Sequence, residues 1–324
     1  MIRIGVIGAG HNGSGHARYY HECERSEVVA VADPDGGRAA ALAEEVGARG
    51  VPDFREMLDA VDAVVISSPN HLHRDHAVAC AEAGKHVFCE KPMGINAGQA
   101  EEIASAVARA GVASCIGFSV RFTEPIQTMQ RYLREGRAGE LVSVWSRRMS
   151  CMSRSGGPAW RSDQALSGGI LYEINVHEVD WIVALGGDVT SVYAKTYADS
   201  PDNPRANDHV WATFAFAGGA VGTMEGSQIA PNPEYVRGMM GSKAGLITRD
   251  WGRKLFFAER GEKEVEVEQD AAFDKRAHFL DCIENGVPPV ADARCGLKIM
   301  NVAEAILQSS ASGEVVQLDS PKES

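Results

Sequence analysis

No stretch of this sequence approaches the ~18 consecutive apolar residues that a membrane-spanning helix requires. Its opening apolar run, Met1–Ile7, passes straight into glycines and polar residues, where a secretory leader would need a longer apolar region and a small-residue cleavage site. Paired cysteines are also missing. The seven cysteines (positions 23, 80, 89, 115, 151, 282 and 295) are scattered, odd in number and contain no C-x-x-C. That excludes a disulfide framework and a zinc-finger pattern, and it points to a reduced, cytoplasmic setting. Excess positive charge is absent too: 32 Lys and Arg stand against 44 Asp and Glu, for a net charge of −12. Such a surface repels phosphate backbones and anionic headgroups, so neither nucleic acid nor membrane is expected as a partner. Aromatics are sparse at 7%, and neither a low-complexity linker nor an internal repeat interrupts the 324 residues. A chain of this length and ordinary globular composition suits two closely joined domains.

What is present falls into two halves. Over the first 118 residues, short apolar runs alternate with helical patterns: Ile2–Ile7, Val28–Ala32, Val61–Ser67, His86–Glu90 and Ala113–Phe118 read as strands. Helices are expected from about Gly13 to Cys23, over Arg38–Val46, over His73–Ala83 with Gly84 as its C-terminal cap, and over Asn96–Ala110. This grammar predicts a doubly wound parallel sheet with right-handed crossovers. Beyond a helix at Pro125–Glu135, the pattern changes. One helical segment, Gly169–Leu185, precedes closely spaced strands at 189–196, 209–216, 220–227, 235–241, 245–249 and 265–268, and a last helix covers about 297–309. Short turns such as Ala217-Gly218-Gly219 imply antiparallel pairing. The expected fold is α/β, with an N-terminal domain over 1–120 and an α+β domain with a largely antiparallel open sheet over 121–324.

Gly8-Ala9-Gly10-His11-Asn12-Gly13 matches G-x-G-x-x-G between a strand and a helix, the dinucleotide fingerprint of a Rossmann domain. Gly8 permits the tight turn, Gly10 lets a pyrophosphate approach the backbone, and Gly13 allows close helix–strand packing. The helix start, with His11 and Asn12, offers free N–H donors to the phosphates. Asp33 closes the second strand 20 residues after Gly13, where a carboxylate accepts from ribose hydroxyls and repels a 2′-phosphate. No Arg sits directly beside it, so NAD is expected in preference to NADP.

Two further patterns bear on chemistry. Glu90-Lys91-Pro92 ends the fourth strand, at the carboxyl ends of the parallel strands where ligands sit, and a Lys there can polarise a substrate oxygen. Far downstream, Glu173 and His177 are spaced i, i+4, with Asp180 three residues on. A His paired with carboxylates suits proton transfer. His71, His73 and His76 lack cysteine support and read as structural or nucleotide-contacting rather than metal-binding. Glu173, His177 and Asp180 make a better metal trio, yet a metal-free mechanism is favoured. Cys89 could be activated by nearby Lys91, although a buried strand cysteine is the commoner case. The run Gly261–Glu268 alternates as a charged edge strand.

Together these residues resemble the glucose–fructose oxidoreductase, inositol dehydrogenase and MocA (Gfo/Idh/MocA) oxidoreductases over almost the whole chain. The resemblance rests on Gly8-x-Gly10-x-x-Gly13-x-x-His16, Ser68-Pro69-Asn70-x-x-His73, Glu90-Lys91-Pro92, the Gly168-Gly169 helix and Asn301–Ile306. It implies hydride transfer between a nicotinamide cofactor and a secondary alcohol or ketone of a sugar, inositol or glycoside. By the same resemblance Ser68, Pro69, Asn70, His73, Glu90 and Lys91 lie at the cofactor. Lys91 binds and polarises the substrate oxygen, His177 is the general base, and Glu173 orients His177 or holds a neighbouring hydroxyl. Arg121, Trp160 and Arg161 fall where relatives line the substrate pocket. Glu173 stands where polyol dehydrogenases usually carry Asp, and Asn175 where a Gly is frequent. A homodimer or homotetramer is implied. The alternatives are a net non-redox reaction through transient oxidation by retained NAD (glycoside cleavage or epimerisation) and a sugar-sensing binding protein without catalysis.

Overall fold

The computed structural model describes residues 1–151, 159–198 and 208–318. The chain divides into two compact units. The first comprises Met1–Phe118, Ala165–Gly168 and Asp274–Lys298, so it takes in two segments that the sequence division assigns to the second domain.

The first unit contains β1 (Ile2–Ile7), α1 (His11–Glu22), β2 (Ser26–Ala32), α2 (Gly36–Glu45), β3 (Arg49–Val51), β4 (Ala63–Ile66), α3 (His73–Glu82), β5 (His86–Cys89), α4 (Ala97–Ala110) and β6 (Ser114–Ile116). Its sheet runs β3-β2-β1-β4-β5-β6, all parallel, with Val6 opposite Val31 and Val65, and Ile66 opposite Cys89. Ile4, Val6, Val64, Val65, Ile66 and Phe88 are wholly buried. Strands covered on both faces are read from such continuous apolar runs. The sheet has six strands where the sequence pattern predicts five. The unread one, β3, is only Arg-Gly-Val, with no apolar pattern to betray it. Gly84 adopts φ +72° after α3, and its N–H bonds to Ala81 O, as the C-cap reading requires.

The second unit begins with α5 (Glu124–Arg134), β7 (Leu141–Cys151) and the short helices α6 (Ala159–Ser162) and α7 (Gln164–Ser167). A π-turn over Leu171–Asn175 then leads into α8 (Val176–Gly186). The remaining strands are β8 (Val189–Tyr197), β9 (His209–Phe216), β10 (Val221–Ser227), β11 (Ile229–Gly241), β12 (Ala244–Arg249), β13 (Lys254–Glu259), β14 (Val265–Glu266) and, near the C-terminus, β15 (Val316–Gln317). They form a nine-stranded sheet, β14-β13-β12-β11-β7-β10-β9-β8-β15. Every neighbouring pair is antiparallel except β10 with β7, so the sheet is largely antiparallel, as expected. The charged run near 265 does form its edge. Sequence pattern misses β13, which sits inside a stretch of mixed charge, and α9 (Lys275–Asn285). In α9, Phe279 packs edge-on against Phe88 of β5 at 5.7 Å between centroids, which ties this late segment to the first unit. The last helix, α10, extends over Ala293–Ser312.

Candidate active site

The turn after β1 is built for a close-approaching ligand. Gly8 has φ +99°, and a Cβ there would sit 2.8 Å from the Ser67 backbone. At Gly13 a Cβ would meet the Gly8 carbonyl oxygen at 1.8 Å, so α1 lies hard against the turn. Gly10 is the opposite case: nothing lies within 4 Å of a Cβ built there, and no side chain caps α1. Open space above Gly10, with the first N–H groups of a 12-residue helix beside it, fits an anionic pyrophosphate. Exposed His11 and Asn12 begin that helix.

Asp33 is buried, and its Oδ2 accepts from the Ala9 N–H at 2.8 Å while Oδ1 accepts from the Asp35 N–H at 2.9 Å. These bonds fix the carboxylate against the glycine turn, and each oxygen keeps a lone pair for a ribose hydroxyl. Arg38, the first cation after Asp33 in the chain, is committed to Asp35, with Nε 3.0 Å from Oδ2. That pairing agrees with NAD rather than a 2′-phosphorylated dinucleotide. The residues present thus fit NAD.

The other residues expected at the cofactor are held by one another. Ser68 Oγ lies 2.9 Å from His76 Nδ1, and Asn70 Nδ2 donates to Ser167 O at 2.9 Å. His73 is buried with its two ring nitrogens 2.7 Å from Pro92 O and 2.8 Å from Ser68 O; burial holds its pKa below the ordinary value. As a neutral imidazole, His73 carries one N–H and donates to one of these two carbonyls, between the Ser68 and Pro92 segments. His76 is lowered to about 4, again by burial.

Glu90 is the centre of a cluster that local sequence does not reveal. Its Oε1 lies 2.9 Å from His16 Nε2 and 2.5 Å from Lys275 Nζ. A Cβ on Gly117 would come within 2.6 Å of its Oε2. Burial alone would raise the Glu90 pKa, but the His16 hydrogen bond and the Lys275 charge prevail and hold it well below the usual carboxylate range. His16 is itself kept neutral by burial, which lowers its pKa against the pull of Glu90. Nε2–H therefore donates, and Nδ1 is left without a partner among the described residues. Lys275 is 185 residues from Glu90, and no local pattern could have found it. Half-buried Lys91 follows directly, flanked by Glu90 and by Pro92, whose carbonyl His73 holds. Cys89 is not activated: burial pushes its thiol well above the ordinary value.

In the second unit, Glu173 lies on the π-turn and His177 on α8. The expected single α-helical face is therefore interrupted, because a π-turn advances the chain by i→i+5 bonding. Glu173 Oε1 is 3.1 Å from Arg161 Nε, and the Arg161 guanidinium lies 5.4 Å from the Trp160 ring centroid. The structure thus brings Glu173, Arg161 and Trp160 together. Asn175 is buried against Gly226 of β10, where a Cβ would come within 2.5 Å of its Oδ1. That glycine makes room for the Asn. Asp180 is fully buried with Oδ1 2.6 Å from Arg121 Nε. Burial raises its pKa although Arg121 opposes this. Arg121 therefore carries an internal ion pair. Among the described residues no three His, Cys, Asp or Glu side chains form a metal-ligand group.

A glycine turn shaped for pyrophosphate, an acidic residue closing β2 and a Lys at the end of β5 define a dinucleotide-binding oxidoreductase. Residues 2–118 match the family described as "Oxidoreductase family, NAD-binding Rossmann fold", and residues 126–247 match the "GFO/IDH/MocA C-terminal domain". The chain belongs to the Gfo/Idh/MocA oxidoreductases, and its cofactor is NAD. It is 28% identical over 347 residues to the D-glucoside 3-dehydrogenase of Escherichia coli (strain K12), a match spanning 98% of this chain and 97% of that protein. It is 27% identical to the 2,7-anhydro-N-acetylneuraminate hydratase of the same organism, over 76% of this chain and 67% of the relative. A solved levoglucosan dehydrogenase in complex with NADH superposes with a TM-score of 0.88 over 98% of this chain and 99% of that one. At 22% identity that likeness speaks for the fold alone. No helix among the described residues is long and apolar enough to cross a membrane.

Proposed function

We propose that the protein oxidises a secondary alcohol of a sugar, inositol or glycoside, or reduces the corresponding ketone, with NAD. The observation that carries this reading is the pairing of an open, uncapped Gly10–α1 turn with a Lys at the braced end of β5. The turn binds the pyrophosphate, and Asp33 takes the ribose hydroxyls. Bound NAD supplies the redox chemistry by accepting or returning hydride. Lys91 donates a hydrogen bond to the reacting oxygen and stabilises negative charge there. His177 removes the hydroxyl proton in oxidation and returns it in reduction. Glu173, tethered to Arg161, holds a neighbouring hydroxyl of the substrate. The full-length likeness to a D-glucoside 3-dehydrogenase supports the substrate class. Seven free thiols agree with a cytoplasmic location.

The test is nicotinamide absorbance with a panel of inositols, aldoses and glycosides, using NAD and NADP in turn. Reduction is expected with NAD, and faster turnover with NADP would reverse the cofactor assignment. A second reading draws on the likeness to a hydratase: transient oxidation by retained NAD, with no net reduction. Product formation without released NADH would favour it.

The second-unit sheet supports self-association. Val221, Ser143 and Met240 lie side by side across β10, β7 and β11, with Val221 53% and Met240 46% exposed. Trp211 stands on the neighbouring β9, 41% exposed. We propose that this face joins copies of the chain into a homodimer or homotetramer. The double substitution Val221→Asp and Trp211→Glu is expected to yield monomers by light scattering. An unchanged mass would place the interface elsewhere.

A further inference from the structure

The second unit holds a cavity of about 350 Å³ whose walls include neither His177 nor Glu173. It is bounded by Val120 and Pro125 near the start of α5, Trp181 of α8, Tyr235 and Arg237 of β11, and the turn after β12. The volume falls within the range of small-molecule pockets.

Its cationic lining groups are already committed. Arg237 is buried and donates twice to Glu178, Nε at 3.0 Å and an Nη at 2.8 Å. Its guanidinium lies 4.6 Å from the Tyr235 ring centroid and 5.0 Å from that of Trp181. Arg253 closes on Asp250 through the backbone oxygen at 3.1 Å and the carboxylate at 2.8 Å. Thr248 exchanges hydrogen bonds with the Arg237 backbone. An anion would have to break an existing ion pair to find a cation here, and the Glu124 carboxylate in the wall would repel it.

Two buried neutral polar atoms belong to lining residues and lack partners among the described residues. Trp181 is completely buried, and its indole N–H has no partner among the described residues. The Gln269 side chain donates through Nε2 to Arg253 O at 2.8 Å, which leaves a buried Oε1 with no partner among the described residues. A buried donor and a buried acceptor left unmade are each destabilising. A hydroxyl group answers both, since it donates and accepts.

At the turn beside the cavity, Asp250 and Trp251 both adopt left-handed backbone angles, φ +50° and +58°. That conformation is unfavourable for any residue with a Cβ. The Arg253 bonds and the Gly252 N–H to Arg249 O bond hold the turn, and Trp251 remains 55% exposed. An apolar ring with one wet face is a surface on which a sugar ring stacks.

We infer that this cavity is a second binding site, for a neutral polyhydroxylated ring such as a further sugar residue. Trp251 provides its stacking face, and Trp181 and Gln269 its hydrogen bonds.

The test uses the full chain, with cellobiose as probe and tryptophan fluorescence as readout, in the absence of NAD. Saturable binding at about 1 mM or tighter is expected. Trp251→Ala and Gln269→Leu should each weaken it ~10-fold or more, with NAD affinity unchanged as the sign of an intact fold. Because Trp251 is a surface residue, its variant remains informative if the Gln269 variant misfolds. Lys91→Ala and His177→Ala should bind cellobiose normally, which separates this site from the proposed reaction. Absence of saturable binding, indifference to both cavity variants, or loss in His177→Ala would overturn the assignment. Stronger competition by glucose 6-phosphate than by glucose would overturn its neutral chemistry.

Discussion

Lys91→Ala is expected to lower kcat by roughly 100-fold or more, with kcat/KM falling in parallel. The chain around Lys91 is held on both sides, by Glu90 in its buried cluster and by Pro92, whose carbonyl lies 2.7 Å from His73. A side chain on so fixed a stem is pre-organised, and its interaction with developing charge costs little reorganisation. Truncation removes a contact made most strongly in the transition state, which is why kcat rather than KM carries the loss. His177→Ala is expected to match that loss while leaving NAD affinity unchanged. Near-normal turnover in either variant, measured by nicotinamide absorbance, would strike that residue from the mechanism.

Glu90→Leu is expected to cost about 3–5 kcal/mol of stability, the usual loss when one partner of a buried charge pair is removed. The variant leaves the Lys275 ammonium, 20% exposed, with no carboxylate opposite it. Adding Lys275→Met should recover much of the loss, because an apolar pair of similar volume replaces the ionic one. Urea unfolding of the two single variants and the double variant reads the coupling directly; additive losses would show that the cluster does not act as a unit.

The same region makes the protein acid-sensitive. His16, His73 and His76 all have pKa values depressed by burial, so each contributes stability that is present above its unfolded pKa near ~6.5 and is lost as pH falls toward and through its folded value. For His76 the fall to about 4 corresponds to about 3 kcal/mol. Glu90, also depressed, adds a loss that starts only below the unfolded carboxylate pKa near ~4.3. Thermal stability should therefore decline from about pH 6.5 downward and steepen below about pH 4.5. His76→Phe should remove part of the first phase, and a flat profile between about pH 7 and 5 would contradict the assignment.

Local pattern by itself accounts for a good deal of this. Ala63–Ile66 reads as a buried parallel strand because both faces are apolar, and Ile2–Ile7 reads likewise apart from exposed Arg3. Gly8, Gly10 and Gly13 read as a nucleotide turn because their spacing between strand and helix meets three distinct steric demands at once. The antiparallel pairing of β9 and β10 is likewise visible in Ala217-Gly218-Gly219. Short or unpatterned elements are not: β3 is three residues long, and β13 lies among charges.

The tertiary structure alone decided the partners. Lys275 meets Glu90 across 185 positions, Arg121 meets Asp180, and Gly226 opens the space that Asn175 fills. It also decided the face of the Glu173–His177 pair, through a π-turn that identical spacing on a regular helix would not contain. The physical reason is the range of the forces involved. Backbone conformation and amphipathic period are set by neighbours within a few residues, and these the sequence displays. Ion pairs, cavities and close packing depend on groups brought together by the fold, and their energies have no counterpart in local spacing.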